Sequence, residues 1–105
     1  MSEGGAALTR RVAIPNRRGL HARAAAKFVT LAERFGASVE VERVPNEAGT
    51  GSNEQEAVSA RSIMGLMMLG AGQGAQLVLR AEGWDAKEAL DALAALVESG
   101  FHERD

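Results

Sequence analysis

Apolar and polar residues alternate in three segments of the chain, which is the pattern of a β-strand with one buried face. These segments are LTRRVAI at residues 8–14, ASVEVERV at residues 37–44 and AQLVLRAE at residues 75–82. AVSA, at residues 57–60, is too short to show a clear period and is interpreted as a brief return strand. We therefore predict four strands that turn every second side chain toward a common core.

Two segments instead repeat apolar residues every three or four positions, as an amphipathic helix does. The first covers residues 22–35 and ends at Gly36, since glycine is common just past the end of a helix. The second, SIMGLMMLG at residues 62–70, is short. Ser62, the first residue of this segment, is the predicted N-cap, a residue whose side chain accepts a hydrogen bond from the first turn.

A third amphipathic stripe begins at Ala86 and continues to Gly100, before a tail with His102 that is expected to fray. Asp85 and Glu88 have the spacing of a capping box, in which the two side chains bond the backbone of the first turn reciprocally. This spacing predicts that the carboxylate of Asp85 caps the third helix.

The predicted elements follow the order β-α-β-β-α-β-α, with short connections that favour an antiparallel sheet. Three helices with one apolar face each would cover one side of it, which is a two-layer α+β domain. The 105 residues suffice for a single domain, 1–105. Within it we predict a flexible N-terminus at residues 1–9 and an extended polar loop at residues 45–56, for which the sequence indicates no role.

Composition excludes several classes of function. The chain has no cysteine, so disulfide and thiolate chemistry are excluded and a reducing compartment fits. No apolar run is long enough to span a membrane, and the start, MSEGGAALTRR, does not resemble a secretory signal. The histidines and acids lack the spacing of metal ligands, and GAGQGAQ lacks the Lys-Ser/Thr ending of a P-loop. We expect a cytoplasmic protein without a cofactor or metal.

The formal net charge of −2 argues against general nucleic-acid binding, but the charges are unevenly distributed. Seven cations precede residue 35: Arg10, Arg11, Arg17, Arg18, Arg23, Lys27 and Arg34. Only Glu3 and Glu33 balance them in that part of the chain. Such a cluster attracts anionic partners, although most charge clusters are simply solvated surface.

RRGLHARAAAKF, residues 17–28, places His21 at the predicted start of the first helix. Backbone N–H groups of a first turn lack partners within the helix, and the helix dipole is positive there, so the position suits a phosphate. Arg23 adds a fork-shaped donor for phosphate oxygens. The positive helix end favours a neutral imidazole, whose lone pair could attack phosphorus. An ordinary capping or surface histidine is the alternative, and these residues alone leave both open.

The short second helix offers another candidate site. A phosphoryl group on Ser62 would benefit from the same helix-end field and would place negative charge beside apolar residues. Ile63, Met64, Met67 and Met68 cannot all face the core of so short a helix, so some of them are expected to form a partner-binding surface. The alternative is that they fill the core.

Three segments in this order resemble the HPr family, the histidine phosphocarriers of the phosphoenolpyruvate-dependent phosphotransferase system. They are GLHARAAAKFV, SARSIMGLMMLGAGQG and AEGWDAKEAL, and the resemblance extends from Arg11 to Phe101. It implies an HPr-like open-faced β-sandwich, with a four-stranded antiparallel sheet of order 1-4-2-3 covered on one face by three helices.

The resemblance also implies roles for individual residues. His21 would be phosphorylated on Nδ1, Arg23 would accompany it at the phosphate, and Ser62 would be the regulatory phosphorylation site. The partner-docking surface would comprise Ile63, Met64 and Met67, with Ala26 and Lys27 on the first helix beside it.

The implied partners are enzyme I as phosphoryl donor, a IIA-type protein as acceptor and HPr kinase/phosphorylase acting on Ser62. The protein would be a monomeric phosphoryl carrier rather than a stand-alone enzyme. A second hypothesis is a non-catalytic regulatory module controlled by phosphorylation of Ser62, and both can hold together. A small RNA-binding domain is disfavoured, because three Phe and one Trp, Trp84 in a turn, provide no aromatic platform on the strands.

The chain departs from the family pattern in particular places. Ala24 occupies a position where most relatives have proline, and alanine leaves one additional backbone N–H in the first turn. The loop at residues 45–56 is longer than usual. ALVESGFHERD resembles the nitrogen-related branch, whose acceptor is a nitrogen-type IIA protein, whereas RSIMG resembles the HPr proteins that are kinase targets. We therefore expect a regulatory carrier with both features.

Overall fold

The computed structural model describes residues 7–45 and 56–103. The strands are β1 (Leu8–Ala13), β2 (Ser38–Arg43), β3 (Val58–Ser59) and β4 (Gln76–Glu82), and the helices are α1 (Ala22–Ala32), α2 (Ile63–Met68) and α3 (Ala86–Glu98). The predicted order of seven elements and the α+β class are confirmed. No helix among the described residues is long and apolar enough to cross a membrane.

The strands form one antiparallel sheet in the order β1-β4-β2-β3. The central strand β4 pairs Leu77 with Val12 on one side and Leu79 with Val41 on the other. All four of these side chains are buried, whereas the neighbouring Arg80 is exposed. The alternation in the sequence therefore corresponds to a sheet with one covered face, as predicted.

The three helices cover that face. Helix α3 packs on β1, β4 and β2, and α1 contacts both α2 and α3. The largest side chains that are less than 2% exposed come from all parts of the fold: Phe28, Phe101, Ile14, Leu66, Leu77, Leu79, Leu93, Val41 and Val97. One continuous core thus joins the sheet to every helix.

Two predicted boundaries are wrong. Leu8 and Thr9, which are predicted both in the first strand and in the flexible N-terminus, pair with Ala81 and Arg80 of β4, although the side chain of Leu8 is 43% exposed at the start of this edge strand. Helix α1 ends at Ala32 because the backbone then tightens into i→i−3 hydrogen bonds. Of the predicted polar loop at 45–56, residues 46–55 lie outside the described residues.

The predicted capping box at the start of α3 is also wrong. Asp85 is the N-cap residue, but its side chain makes no capping hydrogen bond. Its carboxylate is buried and accepts the backbone N–H groups of Gly36, at 2.9 Å, and Ala37, at 2.8 Å. These two groups lie between α1 and β2, outside both elements, so an acceptor from another part of the chain satisfies them. Asp85 joins the two loops instead of capping its own helix.

Residues 100–103 are folded, contrary to the prediction that the C-terminal tail frays. The N–H of Gly100 bonds the carbonyl of Val97, and the N–H of Phe101 bonds the carbonyl of Leu96, which together make a Schellman motif at the end of α3. Gly100 has the positive φ of 71° that this motif requires. The side chain of Phe101 is fully buried, so the tail turns back onto the domain.

Candidate functional site

His21 is the N-cap of α1, as the sequence predicts. Its backbone is extended, with φ −79° and ψ 179°, and its carbonyl accepts the first helical hydrogen bond from the N–H of Ala25 at 2.8 Å. The ring atom Nδ1 accepts the N–H of Arg23 at 3.2 Å. Nδ1 therefore lies at the positive end of α1, beside the first-turn N–H groups that lack helical partners.

The loop before His21 is fixed by its contact with the segment after α2. Gly19 has φ 65°, and a Cβ atom there would lie 2.6 Å from the carbonyl oxygen of Ala71. That carbonyl accepts the N–H of Leu20 at 3.0 Å, and the side chain of Leu20 is buried. Glycine is required for this close approach, which sets the position at which α1 begins.

Glu103 from the C-terminal tail meets the other side of the imidazole ring. Its Oε2 atom is paired with Nε2 of His21, and the two side chains are 13% and 23% exposed. Its Oε1 atom accepts a hydrogen bond from Nδ2 of Asn16 at 3.0 Å. The same Nδ2 donates to the carbonyl of Gly19 at 3.0 Å, so Asn16 joins the tail to the loop before His21.

These partners determine where the ring carries its proton. A backbone N–H only donates, so Nδ1 must present a lone pair to Arg23. An ionised carboxylate only accepts, so Nε2 must carry hydrogen toward Glu103. The hydrogen bond from His21 holds the pKa of Glu103 below its ordinary value, with a smaller contribution in the same direction from Asn16 and against the effect of burial. The arrangement favours the tautomer whose nucleophilic atom is Nδ1.

Three exposed arginines lie on or just before the first turn of α1. Arg23 is exposed on its first turn, and Arg17 and Arg18 are exposed in the preceding loop. A guanidinium group stays charged at every physiological pH and matches phosphate oxygens with two parallel donors. An anion that reached Nδ1 would therefore meet the first-turn backbone N–H groups close to exposed arginines. The geometry suits nucleophilic attack by Nδ1 on an exposed phosphoryl group.

Ser62 caps α2, as predicted. Its Oγ atom accepts the N–H of Gly65 at 2.9 Å, and a Cβ atom at Gly65 would lie 2.9 Å from this oxygen. The side chain of Ser62 is half-buried. The N–H of Gly65 thus holds the hydroxyl of Ser62 against the first turn of the helix, and the absence of a side chain at Gly65 leaves room for it.

Helix α2 presents most of its apolar side chains to the surface, and Leu66 is its only buried residue. The exposed fractions are 40% for Ile63, 69% for Met64, 41% for Met67 and 79% for Met68. These four side chains are called the α2 surface below. Of the two interpretations that the sequence allows, the structure favours an exposed apolar surface over core filling.

Ala26 and Lys27, predicted at the docking surface, line a groove of about 470 Å³ between α1 and the end of α3. Leu96 and His102 lie on its other side. The Nζ atom of Lys27 donates a hydrogen bond to the carbonyl of Phe101 at 2.7 Å. The structure therefore places Lys27 in contact with the C-terminal tail.

Two residues of the site, Asn16 and Glu103, escaped prediction. Asparagine is a residue type common in turns, and nothing in the sequence around Asn16 indicates that its side chain is buried. Glu103 lies 82 positions from its partner His21. The available signal was Gly100 followed by Phe101, a pair typical of a helix that ends in a Schellman motif and turns an apolar residue inward.

No group of three metal-binding side chains occurs within residues 7–45 and 56–103.

Comparison with known proteins gives consistent matches. Residues 8–99 match the PTS-HPr family, described as the PTS HPr component phosphorylation site. The chain is 45% identical to the phosphocarrier protein HPr of Pseudomonas aeruginosa over 92 residues, which cover 88% of this chain and 92% of that protein. It is 42% identical to the phosphocarrier protein NPr of Shewanella violacea over 96 residues, covering 91% and 94% of the two chains. The crystal structure of an HPr from Bacillus anthracis superposes with a TM-score of 0.74 at 41% identity, covering 88% and 98%.

Proposed function

The chain belongs to the HPr family of phosphotransferase-system phosphocarriers, and on this premise we propose that His21 accepts a phosphoryl group from enzyme I and passes it to a IIA-type protein. One observation carries the proposal. Nδ1 of His21 presents its lone pair at the N-terminus of α1, while Nε2 holds the ring proton against Glu103. The nucleophilic atom and the groups that bind phosphate therefore occupy the same place.

The transfer follows from this geometry. The lone pair of Nδ1 attacks phosphorus, the bond from phosphorus to the donor breaks, and the donor keeps its electron pair. The N–H of Arg23, released from Nδ1, donates to a phosphoryl oxygen together with the first-turn N–H groups. Its guanidinium supports the charge on the equatorial oxygens, where positioned cations contribute most in phosphoryl transfer. The reverse attack by an acceptor nucleophile restores the neutral ring.

The test is phosphorylation of the purified protein by enzyme I and phosphoenolpyruvate. We expect one acid-labile phosphoryl group per chain, present in H102A and absent from H21A. His102 is the matched control because it is the only other histidine in the chain. An unlabelled wild-type protein, or a labelled H21A variant, would disprove the proposal.

The acceptor defines the branch of the system. Relatives of similar identity carry the names HPr and NPr, so the comparisons support both branches. We propose a nitrogen-type IIA acceptor, because the ending ALVESGFHERD resembles that branch. Phosphorylated protein offered a nitrogen-type and a sugar-type IIA protein in equal amounts should transfer first to the nitrogen-type one, and preferential transfer to the other would refute this assignment.

Ser62 is the proposed regulatory site, and the α2 surface gives phosphorylation there a consequence. A phosphoserine at the N-cap gains from the helix dipole and places about two negative charges beside Met64 and Met67. Docking through these apolar side chains then weakens. An HPr kinase with ATP should give an acid-stable adduct on the wild type and none on S62A, and labelling of S62A would exclude Ser62 as the target.

A non-catalytic regulatory module is the second candidate function, and it is favoured by the four exposed apolar side chains of the α2 surface. On that hypothesis H21A would regulate its partners as the wild type does, whereas polar replacement of Met64 would abolish regulation. Loss of regulation in H21A would contradict the non-catalytic module and would leave the carrier function as the remaining candidate.

We propose that the protein works in the cytoplasm as a monomer. Sedimentation at micromolar concentration would test the monomeric state.

A further inference from the structure

Glu103 is the one acidic side chain paired with His21 among the described residues, and it lies beyond the family match, which ends at residue 99. We infer that Glu103 is a positioning residue for the proposed transfer: it holds the ring of His21 in the Nε2–H tautomer and stabilises the cation that forms when Nδ1 takes the phosphoryl group. This inference rests on the proposed function of His21, and it assigns a role to the C-terminal tail.

The tail is built to deliver this carboxylate. The Schellman motif reverses the chain after α3, and the fully buried ring of Phe101 anchors the reversal. Lys27 of α1 donates to the carbonyl of Phe101 at 2.7 Å, which ties the tail to the same helix that His21 caps. The N–H of Glu103 bonds the carbonyl of Gly100 at 3.0 Å. Glu103 lies only two residues after the buried Phe101, so these backbone and side-chain contacts also fix the position of Glu103.

The carboxylate is also held at both oxygens. Oε2 faces Nε2 of His21, and Oε1 accepts from the buried amide of Asn16 at 3.0 Å. The orientation of that amide is determined because both of its neighbours, Glu103 and the carbonyl of Gly19, are acceptors. Arg18 is the remaining charged group that acts on the carboxylate, and it favours the ionised form. Two donors and one nearby cation keep Glu103 ionised and directed at the ring.

The chemistry of the step shows why a charge at this position matters. The neutral ring attacks phosphorus through Nδ1 and keeps its hydrogen on Nε2, so no proton leaves or enters. When the Nδ1–P bond forms and the donor leaves with its electron pair, the ring itself becomes cationic. A carboxylate on Nε2–H stabilises that cation, just as a buried aspartate stabilises the imidazolium of a hydrolase triad. In the neutral ring, the same contact holds the hydrogen on Nε2, so that Nδ1 keeps its lone pair.

The first experiment reads the ring directly, without any partner. Nitrogen-15 NMR of the histidine ring in the full-length protein at pH 8 distinguishes the two tautomers of His21. The variants are E103A and, as a matched control, E98Q, since Glu98 is exposed at the end of α3, shortly before the tail that carries Glu103. We expect the Nε2–H form in the wild type and in E98Q, and a mixture in E103A. A ring that is unchanged in E103A would overturn the inference.

The second experiment measures the transfer from enzyme I. Removing the charge in E103Q should lower kcat by about tenfold, the scale of one charge-assisted hydrogen bond, with an unchanged KM for the carrier. The equilibrium share of phosphorylated carrier should fall with it. A rise in KM alone would mean that the tail serves docking and not the ring, and equal behaviour of E103Q and E98Q would also overturn the inference.

The two proposals fail in different ways. If the wild-type protein takes no label, the carrier function fails, while the tautomer measurement still reports whether Glu103 orients the ring. If the wild type is labelled on His21, the ring of E103A is unchanged and E103Q transfers like E98Q, only the role of Glu103 fails.

Discussion

Replacing Phe101 with alanine tests how the C-terminal tail is attached to the domain. The side chain of Phe101 is fully buried, and its backbone has φ 58°, a left-handed conformation that is uncommon for residues other than glycine. Alanine bears the same backbone strain, so F101A removes the apolar anchor and leaves the conformational cost of the turn in place.

The expected loss follows from the burial. Truncation of a buried phenylalanine to alanine lowers the free energy of unfolding by about 3–5 kcal/mol, from lost transfer energy and the cavity left behind. Because the tail is terminal, it can leave the domain instead of enclosing an empty cavity, which limits the loss to the free energy of docking. We therefore expect a value near the lower bound, about 3 kcal/mol. A domain of this size is typically stable by about 5–15 kcal/mol, so F101A should remain folded.

Urea unfolding measures the loss, and L93A provides the comparison. Leu93 is equally buried, in the middle of α3, and its truncation should cost about 2–5 kcal/mol without detaching the tail. At low urea, the nitrogen-15 signals of the His21 ring should change in F101A and stay the same in L93A. A loss of less than about 1 kcal/mol in the free energy of unfolding of F101A would refute the reasoning. So would unchanged nitrogen-15 signals of the His21 ring in an F101A variant that shows the full expected loss.

Three further predictions concern other parts of the molecule. D85N should lower the free energy of unfolding by about 2 kcal/mol, because an amide has one acceptor oxygen for two backbone N–H groups. E88Q should change it by less than about 0.5 kcal/mol, whereas a capping box would make both residues matter in the same urea titration. A24P should raise Tm by a few degrees, since proline in the first turn restricts the unfolded chain by about 0.4–1 kcal/mol, and a lower Tm would mean that the ring does not fit. The pKa of Glu103 is lowered from 4.5 by its hydrogen bond with His21, so this pairing stabilises the protein above that pH and is lost as the pH falls through the lower folded value. Urea unfolding of E103Q between pH 6 and 3 should accordingly show a flatter acid limb than the wild type, and parallel curves would contradict the assigned pairing.

The fold was predictable from the sequence because its signals are local. Strands β1, β2 and β4 alternate apolar and polar residues, and α1 and α3 repeat apolar residues at the helical period, so short windows identify them. Ser62 and His21 could be placed as N-caps for the same reason, since a cap and the N–H it accepts are two or three residues apart. The order of the strands came from the family resemblance, because periodicity does not determine which strands pair.

Long-range polar contacts escaped prediction even where a local motif was available. Asp85 and Glu88 have capping-box spacing, yet the carboxylate of Asp85 bonds N–H groups 48 and 49 positions away. The N–H groups of Gly36 and Ala37 gain more from a buried carboxylate than does the first turn of α3, where Lys87 and Glu88 are exposed. Such a competition depends on which groups are buried, and burial is a property of the folded chain.

The candidate site contains both kinds of contact. The half that we propose binds phosphate is local: His21, the first turn of α1 and Arg23 lie within three residues, and a short motif encodes them. Its other half depends on Glu103, which reaches the ring only because the chain reverses after α3 and Phe101 is buried. The proposed nucleophile and the carboxylate proposed to stabilise its cationic product are therefore encoded in separate parts of the chain. On these two proposals, a change in the tail would shift the phosphoryl-transfer equilibrium of His21 and leave the motif around it unaltered.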